Sequence, residues 1–290
     1  MYQEFLQLEV KDAKMDVNLI SQYQLIIKIA DTGIVFLVCD TESNKCLALE
    51  KYKFPVTATL ENITISLQNI WDAHPFLNAG YWKKVVLLFS NLKFAFVPIP
   101  LKDNDINAEA FTHLNFKLAP QEQLYSYRIK TLDTDCYFAV NQEVINWFGE
   151  FYPSMVTKTG HATCAFLKGL QQQETRANQL HIYTAENLIT LVNLKEGRLN
   201  YLNSFPRQSE DDVLYTCTLV VDELNLDRKD VQINIWAESD DSSLILEKLR
   251  TYYPTINVGK RPAHLSYGFE FDEVEESSYF DLFYATELFV

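Results

Sequence analysis

Short apolar runs separated by polar turns dominate the start of the chain and predict β-strands. Residues 24–30, 34–39 and 46–52 are rich in β-branched and other apolar side chains, which is typical of strands. The tripeptide Asp31-Thr32-Gly33 lies between the first two runs and is a turn signal, because glycine tolerates positive φ and aspartate can bond its own backbone. The pattern therefore predicts three consecutive strands.

Apolar residues at helical spacing predict helices further along the chain. The predicted helices cover approximately residues 60–71, 107–114, 141–151, 160–172, 209–224 and 244–252. Asn141 is a predicted N-cap, and Ser209 with Asp212 three residues later forms a variant of the capping box. Residues 85–89 and 93–97 are predicted to form one hairpin, and residues 124–130 and 136–140 another.

The second half of the chain repeats the order of predicted elements in the first half. Strands at residues 179–184, 188–194 and 199–205, a helix, and a strand at 231–237 follow one another as their counterparts do earlier. Gln24-Leu25 corresponds to Gln179-Leu180, and Phe54-Pro55 corresponds to Phe205-Pro206. A duplicated unit is favoured over two unrelated α+β pieces. The polar stretch at residues 171–178 predicts a boundary, giving domains at 1–175 and 176–290.

Composition and charge restrict the class of protein and its partners. With 48% hydrophobic residues, 8 Gly and 9 Pro, the chain is globular rather than disordered. Its formal charge of −14 is a poor match for nucleic acid or an anionic membrane surface, and no run of Lys and Arg is longer than a pair such as Lys260-Arg261. We therefore expect neither of these partners.

The compartment is predicted from the N-terminus, the apolar runs and the cysteines. The first residues lack a basic segment followed by an apolar one, and the longest apolar runs, 34–39 and 85–89, are too short to span a bilayer. The odd number of cysteines, 5, includes no Cys-x-x-Cys pair. Reduced thiols that act as small buried residues, in a cytoplasmic protein, are expected.

No complete catalytic motif is present. The sequence has no Gly-x-Ser-x-Gly, Gly-x-Gly-x-x-Gly or phosphate-binding Gly-x-x-x-x-Gly-Lys-Ser/Thr pattern, and no histidine pairs at metal-ligand spacing. Asp31-Thr32-Gly33 is also the short signature of aspartic proteases, but no second copy exists in the chain, so a protease would require dimerisation. A plain hairpin turn is the favoured interpretation of this tripeptide.

The duplicated β-β-β-α-β-α order resembles the actin, sugar-kinase and heat-shock-chaperone ATPase superfamily, in which two ribonuclease-H-like domains face each other across a nucleotide cleft. The chain also resembles an uncharacterised bacterial family assigned an actin-like ATPase fold. That resemblance lies in QLIIKIADTGIVFLV, in the Phe-Pro pair before each first helix, and in LNYLNSF. It implies an α/β fold of two duplicated ribonuclease-H-like domains, each with a mixed sheet.

The resemblance also implies where nucleotide would bind. Asp31, Thr32 and Gly33 occupy the position of the superfamily's first phosphate loop, but Ile34, Val35 and Phe36 replace the usual hydroxyl or basic residues. The corresponding turn at residues 185–187 has neither Asp nor Gly. Only the separated Gly259 and Gly268 stand where a close glycine pair contacts adenosine. We therefore expect no cofactor and no ATP hydrolysis, and a protein partner is the favoured function.

Two alternatives remain open. The protein could be a nucleotide-dependent ATPase or kinase-like enzyme in which Asp31 orients a metal ion. The aromatic tail at residues 277–290, within a C-terminal stretch that is acidic and lacks Lys and Arg from Glu270 onward, could dock a basic partner. The favoured interpretation of the whole C-terminal segment, residues 269–290, is that it packs on a domain as a final strand and helix.

Overall fold

The apolar runs near the start of the chain form the antiparallel meander that the sequence predicts. The structure is a computed structural model and describes residues 5–55, 63–101, 108–153, 157–173, 179–185, 187–195, 198–238 and 242–289. An edge strand, β1 (Leu6–Lys11), precedes β2 (Tyr23–Ala30), β3 (Gly33–Asp40) and β4 (Lys45–Lys53). β2 pairs with β3 and β3 with β4, both antiparallel. Nearly every residue of β2 and β3 is buried, which agrees with their continuous apolar sequence.

Parallel strands extend this sheet on the other side of β2. The helix α1 (Ile63–Ala73) leads into β5 (Lys84–Ser90), which lies parallel to β2, and β9 (Thr157–His161) lies parallel to β5. The six strands follow the order β1-β4-β3-β2-β5-β9. Their parallel members end at one edge of the sheet, at residues 30, 90 and 161.

A small antiparallel sheet is inserted between β5 and β9. It contains β6 (Phe94–Pro98), β8 (Thr134–Asn141) and β7 (Glu122–Ile129), in that spatial order. The predicted hairpin at residues 124–140 is confirmed as the β7–β8 pair. The predicted hairpin of residues 85–89 with 93–97 is wrong, because β5 pairs with β2 and β9 while β6 pairs with β8. The apolar core of β5 suits a central parallel strand that is buried on both faces.

A second mixed sheet forms from the later part of the chain. Its strands are β10 (Gln179–Ala185), β11 (Leu188–Lys195), β12 (Arg198–Pro206), β13 (Gln232–Ala237) and β14 (Ile256–Val258). The order is β12-β11-β10-β13-β14, with antiparallel pairing up to β10 and parallel pairing beyond it. This is the order and direction of β4-β3-β2-β5-β9, so the predicted repetition of strand order is confirmed.

The remaining helices connect these strands as the hydrophobic pattern predicts. They are α2 (Ala108–Asn115), α3 (Gln142–Phe151), α4 (Ala162–Gln171), α5 (Glu210–Glu223), α6 (Ser242–Arg250) and the short α7 (Phe280–Tyr284). Asn141 caps α3 by accepting the Glu143 N–H, and Ser209 with Asp212 forms the capping box of α5. Both predicted caps are confirmed. The helix predicted at 160–172 begins at Ala162, because residues 157–161 form β9.

Within the second sheet, one face carries the hydrophobic core. Alternate residues of β10, β11 and β13 pack against α5 and α6, including Leu180, Ile189, Ile233, Val220 and Ile245. The two-residue period of the strands places their apolar side chains on one side of the sheet. The helical period of α5 and α6 places their apolar side chains on the stripe that faces the sheet. The hydroxyl group of Thr218 in α5 lies 3.1 Å from that of Tyr253, which follows the end of α6.

Close packing divides the chain into two units with discontinuous sequences. The first contains residues 1–165, 263–273 and 282–290, and the second contains residues 166–262 and 274–281. These bounds differ from the predicted domains at 1–175 and 176–290, whose boundary stretch lies partly outside the described residues. Part of the C-terminal tail therefore packs in each unit.

The C-terminal segment from residue 269 has no strand among its described residues. Residues 269–273 form a 3₁₀ turn, α7 follows, and residues 285–287 form a second 3₁₀ turn. The predicted final strand is wrong. Residues two positions apart in a strand face the same side, but the Phe269 side chain is exposed while Phe271 is buried, and the backbone of residues 269–273 is helical. The predicted final helix is confirmed as α7.

Candidate functional site

The candidate phosphate-loop residues form a tight turn at the end of β2. Ala30 pairs with Gly33, so Asp31 and Thr32 are the two turn residues and Gly33 already belongs to β3. A Cβ atom at Gly33 would overlap the Tyr52 carbonyl oxygen on β4. The Phe54 N–H also donates to the Thr32 carbonyl at 2.8 Å. Close approach of β4 to the turn therefore explains this glycine without a ligand.

Charged groups from the inserted sheet lie near Asp31. The Asp31 side chain is exposed at the carboxyl end of β2. Desolvation raises the pKa of its carboxyl, the positive charge of Lys93 opposes this, and the negative charge of Glu122 adds to it. Lys93 Nζ contacts the Glu122 carboxylate oxygens at 2.6 and 2.8 Å. The lysine that could attract phosphate is thus already paired with a carboxylate.

The carboxyl ends of β5 and β9 are joined by a buried histidine. His161 Nε2 lies 3.2 Å from the Asn91 carbonyl oxygen and Nδ1 lies 2.7 Å from the Thr163 hydroxyl. Because a carbonyl can only accept, Nε2 carries the proton. Desolvation lowers the pKa of His161 to about 3. Both ring nitrogens are engaged, so His161 positions strand ends rather than exchanging protons at neutral pH.

The corresponding turn of the second unit has a different environment. Glu186 lies outside the described residues, and the Asn187 carbonyl accepts the Arg207 N–H at 2.6 Å. At the same edge, the Glu238 N–H donates to the Thr184 carbonyl at 2.9 Å. Glu238 directly follows β13, so its side chain lies where the parallel strands end.

A buried cluster of one tyrosine and two carboxylates occupies this edge. The Tyr183 hydroxyl contacts both the Glu238 carboxylate and Asp281 Oδ1, the latter at 2.5 Å. Glu238 is 7% exposed and Asp281 is 1% exposed. Desolvation and the two carboxylates raise the pKa of Tyr183 well above its ordinary value, so Tyr183 stays a hydroxyl donor. We refer to these three residues as the acid–tyrosine cluster.

The acid–tyrosine cluster has no local signature in the sequence. Its members are separated by 55 and 98 positions, and the only available signal was an acidic residue directly after a predicted parallel strand. Residues at that position face the crevice where open α/β sheets bind ligands.

The tail covers the same edge of the second unit. Ser278 Oγ donates to the Ala237 carbonyl at 2.8 Å, at the end of β13. Phe280 is 1% exposed, and its ring packs against Trp236 and Phe166 at centroid distances of 4.9 and 5.8 Å. The hypothesis that the tail offers free aromatic anchors to a partner is wrong, because its aromatic residues at 279, 280, 283 and 284 are buried.

The other sequence candidates are explained by packing. A Cβ at Gly259 would overlap the Trp236 indole, and a Cβ at Gly268 would overlap the Asp12 carboxylate. All five cysteines are free and buried, as predicted, and the Cys39 and Cys46 sulfur atoms lie 3.5 Å apart. Among the described residues, no group of three or more His, Cys, Asp or Glu side chains could hold a metal ion. In the same part of the chain, every helix is too short or too polar to cross a bilayer.

Comparison with solved structures identifies the fold. A protein from Bacteroides thetaiotaomicron VPI-5482, with an actin-like ATPase fold and unknown function, matches with a TM-score of 0.75 and 16% sequence identity over 85% of this chain and 94% of that chain. A chain of the PilM–PilN type IV pilus biogenesis complex matches with a TM-score of 0.59 and 12% identity over 90% of this chain and 96% of that chain.

Comparison of sequences identifies the family. No curated protein matches the sequence. The family described as "Protein of unknown function (DUF3822)" matches residues 12–256. Because this match covers most of the chain, the chain belongs to the DUF3822 family, and the structural similarity shows an actin-like ATPase fold.

Proposed function

We propose that this protein is a non-catalytic member of the actin-like fold that acts through protein–protein contact. The observation that carries the proposal is the closure of the second unit's strand edge by its own tail. Ser278 and Asp281 bond to groups at the ends of β13 and β10. Ligands of open α/β sheets bind outside these carboxyl ends, so the tail takes the space that a ligand of this unit would need.

The charge at this edge also opposes nucleotide binding. A triphosphate is bound by backbone N–H groups, lysine, arginine or a metal ion. The acid–tyrosine cluster instead presents two buried carboxylates, Glu238 and Asp281. Bringing phosphate next to them would add like charge in a region with little water to screen it.

The first unit supports the same conclusion. Asp31 is accessible, but Lys93 is paired with Glu122. The residues after Gly33 are buried strand residues without a hydroxyl or amino group. One carboxylate beside a neutralised lysine is a poor phosphate site.

A protein partner fits the remaining observations. The chain of similar fold in the PilM–PilN complex comes from an assembly of two proteins. A formal charge of −14 favours a partner with a basic surface. Five free thiols fit a reducing compartment, and we place the protein in the cytoplasm.

Isothermal titration calorimetry with ATP and ADP in the presence of Mg²⁺ tests the proposal on the whole chain. We expect no saturable heat with a dissociation constant below about 1 mM, which corresponds to about 4 kcal/mol of binding. Saturable binding at micromolar nucleotide would overturn the non-catalytic assignment.

The second candidate function is nucleotide hydrolysis with Asp31 as the metal-orienting carboxylate. It is favoured by one observation, the exposed position of Asp31 at the carboxyl end of β2. This candidate predicts a hydrolysis rate clearly above background that Asp31→Asn abolishes. Asp133→Asn is the matched control, because Asp133 is exposed in the same unit and its left-handed φ of 49° suits asparagine.

A further inference from the structure

The two sheets differ at one edge. In the first unit, β4 pairs with β3 on one side and with β1 on the other. In the second unit, β12 holds the position of β4 and pairs with β11, but no described strand pairs with its other side. An edge of nine residues is long for a strand without cover.

The hydrogen bonds show which backbone groups of β12 point away from β11. The Arg207 N–H donates to the Asn187 carbonyl across the β11–β12 ladder. Hydrogen bonding alternates along an antiparallel strand. The backbone N–H and C=O groups of residues 205, 203 and 201 therefore bond to β11, while those of Ser204 and Leu202 point away from β11. The Ser204 N–H accordingly donates to the Asn203 side chain at 2.9 Å rather than to β11.

Pro206 agrees with this assignment. It is the next outward position after Ser204, and β11 requires no N–H there. Proline is tolerated in sheets where its missing N–H would face the free edge.

The side chains of β12 do not protect this edge in the usual way. Natural edge strands are commonly guarded by charged side chains. Residues 199–205 are Leu-Asn-Tyr-Leu-Asn-Ser-Phe and carry no charge. Arg198 and Pro206 mark only the two ends of the strand.

We propose that a second copy of this chain pairs with β12 in antiparallel orientation, with the two-fold axis at Asn203. The outward groups of Leu202 would then bond to those of Ser204 in the other copy, and the reverse, giving four hydrogen bonds when the Ser204 N–H exchanges the Asn203 side chain for the Leu202 carbonyl of the other copy. Tyr201 would lie opposite Phe205 of the other copy, and the two Asn203 side chains would face each other. Aromatic pairs of this kind stabilise antiparallel strands.

The bulge lies outside the paired segment, and the uncharged strand limits the repulsion between two acidic copies at this register. The bulge in the β11–β12 pairing falls next to Asn200, outside the regular segment 201–206. Two chains that each carry a charge of −14 repel one another in general, but this strand places no carboxylate opposite another. The inference does not depend on whether nucleotide binds.

Disulfide trapping tests the register. Facing residues of a non-hydrogen-bonded antiparallel pair have Cα atoms about 4.5 Å apart, within reach of a disulfide. Asn203→Cys should therefore crosslink into a dimer under mild oxidation. Asn200→Cys is the matched control, since the two copies of residue 200 would lie about 20 Å apart at this register. The five native cysteines are buried and present in both variants, so any crosslink that they form would be the same in both.

Sedimentation velocity tests the association without a crosslink. We expect the whole chain at about 100 µM to reach twice the 33.7 kDa of one copy. Asn203→Lys should weaken dimerisation about tenfold because it places two ammonium groups directly opposite each other. Asn200→Lys should leave dimerisation nearly unchanged, and circular dichroism confirms folding of each variant.

A monomer at that concentration would overturn the proposal. So would equal crosslinking of Asn203→Cys and Asn200→Cys, or a dimer that Asn203→Lys leaves intact, because each result would place the contact elsewhere.

Discussion

The buried side chains of His161 in the first unit and His181 in the second make the stability of this protein depend on pH. Desolvation lowers the pKa of His161 to about 3 and that of His181 to about 4. His181 has no hydrogen-bond partner for either ring nitrogen among the described residues. Both side chains therefore stay neutral in the folded state well below the ordinary histidine pKa.

The sign of the effect follows from proton binding. Below about pH 6.5 the unfolded chain protonates each histidine while the folded chain does not. The free energy of unfolding should fall by about 1.4 kcal/mol per pH unit for each histidine between about pH 6 and pH 4.5. Urea unfolding at several pH values measures this slope.

Single variants separate the two contributions. His161→Gln and His181→Phe should each reduce the slope, whereas His113→Gln should not, because His113 is exposed. Equal slopes in all four proteins would show that other groups control the pH dependence.

A third buried histidine, His74, contacts a glutamate of β4. His74 Nε2 and the Tyr52 hydroxyl both contact the Glu50 carboxylate, the former at 3.1 Å. Since Glu50 is 1% exposed, Glu50→Ala would remove a shared acceptor from inside the protein. We expect a loss of about 3–5 kcal/mol in the free energy of unfolding.

The exposed Glu42 supplies the control for this experiment. Glu42→Ala should change the free energy of unfolding by less than about 0.5 kcal/mol. Similar losses for both glutamate variants would mean that the buried contact is not what stabilises the sheet.

At the scale of elements, the C-terminal tail is part of the folded core. Its side chains at Phe280, Leu282, Phe283, Ala285 and Leu288 are buried. In the first unit, Lys84 Nζ donates to the Phe289 carbonyl at 3.2 Å. A segment with this burial stabilises what it packs against, because each large apolar side chain contributes about 1.5–3 kcal/mol.

Deleting residues 277–290 should therefore abolish cooperative thermal unfolding. This is the result expected if the tail packs on a domain, and it is the opposite of the result expected if the tail only docks a partner. Several such buried side chains together contribute about as much as the roughly 5–15 kcal/mol that stabilises a typical domain. A truncated chain that melts cooperatively near the full-length midpoint would disprove this role.

Two phenylalanines of the C-terminal segment offer a milder test. Phe280→Ala should cost about 3–5 kcal/mol because it empties a packed site. Phe269, which is 77% exposed, is the matched control, and its replacement by alanine should cost less than about 0.5 kcal/mol. Chemical unfolding of the two variants gives the comparison.

Helix caps and strand patterns were predictable at this scale, and pairing was not. Asn141 and Ser209 were identified from sequence because a cap depends on residues only a few positions apart. The pairing of β5 with β2 rather than β6 was missed, because the apolar runs of both strands suit a hairpin equally well. The two strands differ in burial, because the interior of β5 is buried on both faces whereas β6 is only partly buried.

At the scale of the whole molecule, the first unit is assembled from distant parts of the sequence. Ser266 pairs with β4, where the Cys46 N–H donates to the Ser266 carbonyl at 2.9 Å. The rings of Tyr267 and Phe283 pack at 5.3 Å. The fragment 1–175 contains none of these later residues.

We therefore expect fragment 1–175 alone to lack a cooperative thermal transition and a dispersed amide NMR spectrum. Co-expression with fragment 176–290 should restore both, since every described contact is then available. If fragment 1–175 folds alone with the full-length midpoint, the predicted domain at 1–175 is correct and the later segments are peripheral to it.

The sequence by itself determined the elements, their caps and the repeated strand order, because these depend on local periodicity and on neighbours within one or two turns. Only the tertiary structure decided where the tail lies and which residues meet at the strand edges. Tyr183, Glu238 and Asp281 converge because β10, β13 and the tail end at the same place in the second unit. Contacts between side chains so far apart in sequence arise from packing, and no local pattern encodes them.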